Sequence, residues 1–169
     1  MLQQQDVSRS RGLRAVAQSV WQFGVLLVAG RIHQPRANIG AVAAIPDGTH
    51  GRVYRETTVD GPPATEPVVL VVEFRLRGLH GWGHRLFRWE SLFNTPMFVG
   101  FPGFVSKLWL THDERERYRG IYDWDGARSA DFYAKSLSWV LALVCVPGSM
   151  SYEIVEGRKR NDWIELPQD

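Results

Sequence analysis

Apolar and polar positions alternate along Val68–Arg77. Leu70, Val72, Phe74 and Leu76 fall on one side, and Val69, Val71, Glu73, Arg75 and Arg77 on the other. A period of two predicts a strand. Gly78–Gly83 reads as a turn, and His84–Phe93 as a helix with Leu86, Phe87, Trp89, Leu92 and Phe93 as its apolar positions. Asn94-Thr95-Pro96 ends that helix, because proline excludes the preceding residue from helical geometry. Two aromatic-rich strands follow, Phe104–Thr111 and Tyr118–Trp124, joined by the polar hairpin loop His112–Glu116. Asp125 suits the N-cap of a long helix over Ala127–Val144, which Pro147-Gly148-Ser149 stops. Met150–Val155 supplies a fourth strand.

The order β-α-β-β-α-β predicts an α+β, ferredoxin-like unit with two helices on one face of a four-stranded sheet. A half-apolar sheet face left bare must be covered, and a second copy would do so. The expected assembly is therefore a homodimer, a dimeric α+β barrel.

Ahead of this unit, Leu13, Val16, Ala17, Val20, Gly24, Leu27 and Val28 recur at three- and four-residue spacing and predict a docked helix over about 12–32. Arg9, Arg11 and Arg14 bring a membrane anchor into view. Gln18, Ser19 and Gln22 interrupt the apolar run well short of the roughly 18 residues a span needs. Contact of this helix with a membrane surface stays open but is not favoured. Residues 34–67 hold five of the nine prolines, with one short strand expected at Gly51–Val59. Gly61-Pro62-Pro63 and Pro67 mark a boundary. The expected division is an extension over 1–67, the α+β domain over 68–156, and an irregular tail over 157–169.

Composition adds three constraints. The 169 residues carry a net charge of only +2, too small to point to nucleic acid or an anionic membrane. A single cysteine, Cys145, excludes an intrachain disulfide; it reads as a buried thiol and suits a reducing, cytoplasmic setting. Seven tryptophans are many for this length, and indoles build core and flat-ligand pockets alike. No glycine-rich phosphate loop, nucleophile elbow or His-Glu-x-x-His motif is present, so nucleotide, serine-hydrolase and zinc-protease chemistry find no support.

Gly103-Phe104-x-x-Lys107-x-Trp109, then Gly120-Ile121-Tyr122, Asp125, and a helix bearing Ala130 and Tyr133, resemble the YdhR-type monooxygenase family of the dimeric α+β barrel superfamily. The resemblance covers about residues 68–156. It implies cofactor-independent oxygenation of aromatic or quinol substrates. It also admits polyketide-type cyclisation or isomerisation on the same fold, or a non-catalytic module binding a hydrophobic ligand or haem. The fold alone does not choose among them.

Candidate site residues follow from strand parity and chemistry. His80, His84 and His112 are the general-base candidates, since histidine titrates nearest neutrality; His112 is expected to be exposed in the hairpin, and His84, at a helix start, is the one placed to face the pocket. Tyr122 is placed to orient or protonate a substrate oxygen, and Trp109 to form a stacking wall; His84, Tyr122 and Trp109 are the catalytic candidates. Lys107 shares a face with Trp109. It would pair with a phenolate or enolate, or else with Glu73 or Asp123 across the sheet. Trp89, Asn94, Trp124, Tyr133 and Trp139 complete the expected lining for a hydrophobic small molecule. His80 and His84 bracket a turn and find no third ligand, so no metal is expected, and no cofactor.

Overall fold

The computed structural model describes residues 7–45, 48–77, 95–113 and 115–165. The expected helix over His84–Phe93 lies outside them. In chain order the elements are helix α1 (Arg9–Val28), strands β1 (Ile32–His33), β2 (Val42–Ala44), β3 (His50–Val59) and β4 (Pro67–Arg75), and one helical turn, α2 (Pro96–Val99). Then come β5 (Phe104–Leu110), β6 (Arg117–Asp125), helix α3 (Ala127–Val144), β7 (Ser151–Glu156), a 3-10 turn (Arg160–Trp163) and β8 (Ile164–Glu165).

The sheet runs β7-β4-β6-β5-β3-β2-β8, with β1 also on β3 and every pairing antiparallel. Its first four members, β7-β4-β6-β5, are the ferredoxin-like order that the β-α-β-β-α-β pattern predicts. The chain is an α+β protein of that class.

Two sequence expectations change here. The presumed extension is not separate: β3 hydrogen-bonds to β5 over Val53–Thr58, so the expected boundary at residue 67 falls inside one continuous sheet. The tail over 157–169, expected to be irregular, contributes the 3-10 turn and β8, which pairs with β2. Helix α1 runs over Arg9–Val28 and is docked. Gly12 lies so close to Ser136 and Trp139 of α3 that an added Cβ would touch the Trp139 ring at 3.0 Å. Farther along, the Ser19 hydroxyl donates to the Pro96 carbonyl (2.9 Å) and accepts from the Gly100 N–H (3.1 Å).

The two faces of the sheet carry separate cores. On the helical side, Val68, Leu70 and Val72 of β4 and Tyr122 and Trp124 of β6 pack against Ala130, Tyr133, Ala134 and Leu137 of α3, a stripe at helical spacing. On the other side, Val69, Val71, Leu108, Leu110 and Ile121 are buried beneath Ala41, Ala43, Trp163 and Ile164. Much of the face expected to lie open to a second copy is therefore covered by β2, the 3-10 turn and β8 of the same chain. The open-face reason for a homodimer does not hold for that covered part.

The polar groups of this second face form two buried ion clusters. Arg119 donates to Glu73 (2.8 Å) and to Asp113 (2.8 Å), while Arg117 bonds the other Glu73 oxygen. Arg160 bonds Glu56 and lies 3.2 Å from an Asp123 oxygen, and Asp123 also accepts from the Ser106 hydroxyl. Burial alone would raise the Asp113 carboxyl. The Arg117 N–H, the Arg119 guanidinium and the Arg115 N–H outweigh it and hold the group below the usual carboxylate range.

Asp125, expected to cap α3, does not. Its carboxylate accepts from the N–H groups of Thr65 and Glu66 (2.8 Å each), and Gly126, at φ +90°, leads into the helix instead. That backbone angle lies in the left-handed region, which glycine enters without steric cost. Cys145 is buried just past the end of α3, where desolvation pushes its thiol up to about 11.

Candidate functional site

Between α3 and the helical face of the sheet lies a cavity of about 150 Å³. Tyr54, Phe98, Lys107, Trp109, Gly120, Tyr122, Tyr133 and Leu137 are among its walls. Three local features bring them together. A bulge between Phe104 and Ser106 shifts the register of β5 on β6 and leaves Phe104, Lys107 and Trp109 facing the helices. The straight register of β6 against β4 puts Tyr118, Gly120, Tyr122 and Trp124 on that same side. The single turn α2 drives Phe98 inward, its ring centre 5.4 Å from that of Trp109 and 6.1 Å from that of Tyr122.

The Lys107 ammonium sits in this aromatic box. Its nitrogen is 3.2 Å from the Trp109 ring centre, 4.5 Å from that of Phe98 and 4.7 Å from that of Tyr122. The Arg55 guanidinium carbon lies 3.8 Å from the Trp109 ring centre as well. Glu73 and Asp123, the carboxylates expected to pair with Lys107, lie on the opposite face and are held by Arg117, Arg119 and Arg160. Among the described residues no carboxylate forms an ion pair with Lys107. Burial, reinforced by the nearby Arg55 charge, pulls the lysine well below its ordinary 10.5. The rings offset part of the lost hydration through their quadrupoles.

Two phenols share the cavity with the lysine. The Tyr122 and Tyr133 hydroxyls are 3.2 Å apart, and burial pushes both well above the ordinary tyrosine value. They stay protonated across the physiological range and can donate to a substrate oxygen. The Trp109 indole N–H is fixed by donating to the Thr57 hydroxyl (3.2 Å).

Gly120 makes the arrangement fit. A Cβ there would sit 2.8 Å from the Tyr122 ring and 3.0 Å from Lys107 Cε. Gly120→Ala is expected to cost about 1–3 kcal/mol by overpacking. Thermal denaturation measures that cost, and weakened ligand binding should accompany it because the lysine and the phenol must both move.

The cavity gathers four of the sequence-derived candidates: Lys107, Trp109, Tyr122 and Tyr133. Trp124 is fully buried behind them, stacked on Tyr133 with ring centres 5.0 Å apart, and is absent from the cavity wall. Trp139 stands elsewhere. It is 40% exposed and donates to the Val7 carbonyl (3.0 Å), so it serves the contact between α1 and α3 rather than the cavity. His84, Trp89 and Asn94 lie outside the described residues. His112, expected to be exposed in the hairpin, is exposed, with its ring 5.6 Å from that of Tyr118.

Phe98, Tyr54 and Arg55 escaped the sequence reading. The short apolar run Phe98-Val99 after Pro96 was the available signal for the first. The alternation Val53-Tyr54-Arg55 inside a β-prone run was the signal for the others.

No family model matches this chain, and no curated protein matches it. Among solved structures, it is similar to a ferredoxin-fold protein related to antibiotic biosynthesis monooxygenases from Listeria monocytogenes, with a TM-score of 0.47 and 14% identity over 81% of this chain and 88% of that one. It is similar to LmHde, a heme-degrading enzyme from the same organism, with a TM-score of 0.47 and 16% identity over 79% and 92%. An anthrone oxidase-like protein aligns with a TM-score of 0.41 and 11% identity over 64% and 54%. The fold assignment rests on the strand order and pairing described above.

Proposed function

We propose that the cavity binds a single-ring phenol or hydroquinone and, with Lys107 as the base, makes it reactive toward dioxygen without a bound cofactor. The observation that supports this most is the buried Lys107 amine in a box of rings, with no ion-paired carboxylate among the described residues. A lysine whose ammonium form is disfavoured by burial gives up its proton more readily than a solvated one and can act as a base. Once it has taken the substrate proton, its new charge lies beside the anion it has created, in surroundings of low dielectric. The size of the cavity supports a one-ring substrate, since a void of about 150 Å³ holds a benzene-sized ring.

The reaction balances as hydroquinone plus dioxygen giving hydroxybenzoquinone plus water. Lys107 removes a phenolic proton, and the anion passes electrons to dioxygen. Recombination at the neighbouring ring carbon forms a hydroperoxide, and loss of water from it leaves the quinone oxygen. Tyr122 and Tyr133 hold the substrate oxygen, and Trp109 and Phe98 form the walls.

Haem, which the family resemblance allows, does not fit this cavity. The cavity is one ring wide, and none of His33, His50 and His112 lines it.

The test is oxygen uptake by the purified protein with a series of substituted hydroquinones, followed beside quinone absorbance. Equimolar oxygen loss and hydroxyquinone formation are expected, with a rate that rises with pH as Lys107 loses its proton. Absence of uptake across the series would sink the oxygenase reading. The Tyr122–Tyr133 pair favours one second reading. A base facing protonated phenols can also enolise and reprotonate a carbonyl compound, as an isomerase or cyclase does. Product formation without oxygen loss would identify that chemistry.

A further inference from the structure

Helix α1 buries only one side. Gly12, Ser19 and Leu26, spaced seven apart, face the protein, yet the helix is not polar on its outer side. Leu13, Val20, Trp21, Leu27 and Val28 are all exposed, Trp21 at 75% and Val28 at 92%. At 100° per residue they span a continuous arc of about 120°. Such a patch on a helix flank needs a cover.

The surrounding charge says what kind. From residue 7 to residue 46 the sequence contains five arginines, Arg9, Arg11, Arg14, Arg31 and Arg36, and no acidic residue. All five are exposed. Arg9, Arg11 and Arg14 stand at the start of the helix, and Arg31 and Arg36 follow its end. Two copies packed by this flank, parallel or antiparallel, would set cations against cations at both ends. An anionic surface with an apolar interior matches both features. No helix among the described residues is long and apolar enough to cross a membrane.

We propose that α1 is an interfacial anchor. It lays the Leu13–Val20–Leu27 flank and Trp21 at the headgroup–acyl boundary of an anionic phospholipid surface, with the arginines on the headgroups. A helix of large apolar arc, basic edge and interfacial tryptophan binds in this manner, and its affinity rises with anionic lipid. The inference is independent of the chemistry in the cavity.

Co-sedimentation with phosphatidylcholine vesicles, with and without phosphatidylglycerol, tests it. The protein is expected to sediment with the phosphatidylglycerol vesicles and to be released by salt. Partitioning should fall about tenfold or more in Val20→Glu/Leu27→Glu, and by a smaller factor in Arg9→Gln/Arg14→Gln. Both pairs are exposed, so an unchanged circular dichroism spectrum verifies folding. Trp21→Ala gives a milder second variant. Brominated lipid should quench the wild type more than Trp21→Phe. Binding that ignores lipid charge or these substitutions overturns the proposal. So does a lipid-free dimer lost in Val20→Glu/Leu27→Glu with no vesicle binding, which would identify a second copy as the cover.

Discussion

Lys107→Met is expected to lower the catalytic rate by about 10²–10⁴-fold, the range general-base catalysis contributes, while the protein keeps or gains stability. The two effects separate because this lysine has no ion-paired carboxylate among the described residues to strand. Removing it relieves a desolvated amine, and methionine fills nearly the same volume between Trp109, Phe98 and Tyr122. The pH dependence provides an independent check. A lysine lowered in the folded state binds fewer protons than the same lysine unfolded, so wild-type stability gains as pH rises from the folded value toward 10.5. Lys107→Met loses that slope. Lys107→Arg keeps a cation that cannot act as a base and should be as inactive as the methionine variant. Denaturant melts at several pH values, beside single-turnover kinetics, measure both. Full activity in Lys107→Met would remove the base from the proposed mechanism.

Arg160→Met is expected to be the most destabilising single change, at about 3–5 kcal/mol, or about 6–20 °C in Tm. Arg160 and Glu56 are both buried, and Asp123 shares the guanidinium. Without it the Asn38 amide is what still bonds Glu56 among the described residues, and a carboxylate is left in a dry site. Replacing Glu56 at the same time, as Glu56→Gln/Arg160→Met, should recover part of the loss, because the penalty comes from the stranded charge. Calorimetry on the two single variants and the double variant closes the cycle. A loss below 1 kcal/mol for Arg160→Met would show that water reaches the cluster.

The central layer was legible because its residues announce it locally. Period two over Val68–Arg77 placed β4, and the 127–144 helix was bounded by its own spacing and by Pro147-Gly148. Strand parity also put Lys107 with Trp109. What parity could not give was sidedness across strands. The choice between Glu73 and the aromatic box for Lys107 depends on how β5 lies against β6, and a one-residue bulge near Ser106 helps set that. The cover of the second face was illegible for another reason. Strands β2 and β8 are three and two residues long, too short for a period, and they pair residues more than 120 positions apart. Trp139 misled because its indole meets α1, an element whose docking no spacing within α3 reveals.

The cover supplied by β2, the 3-10 turn and β8 has a consequence during synthesis. Strands β4, β5 and β6 are synthesised before the Arg160–Glu165 segment exists. At about 5–20 residues per second the nascent chain carries Val69, Val71, Leu108 and Ile121 unshielded for a fraction of a second to seconds. Closing this face waits for β8 to reach back to β2 across a long loop, whose closure is slow. Until that cover is in place, the apolar row on β4, β5 and β6 is an aggregation-prone surface.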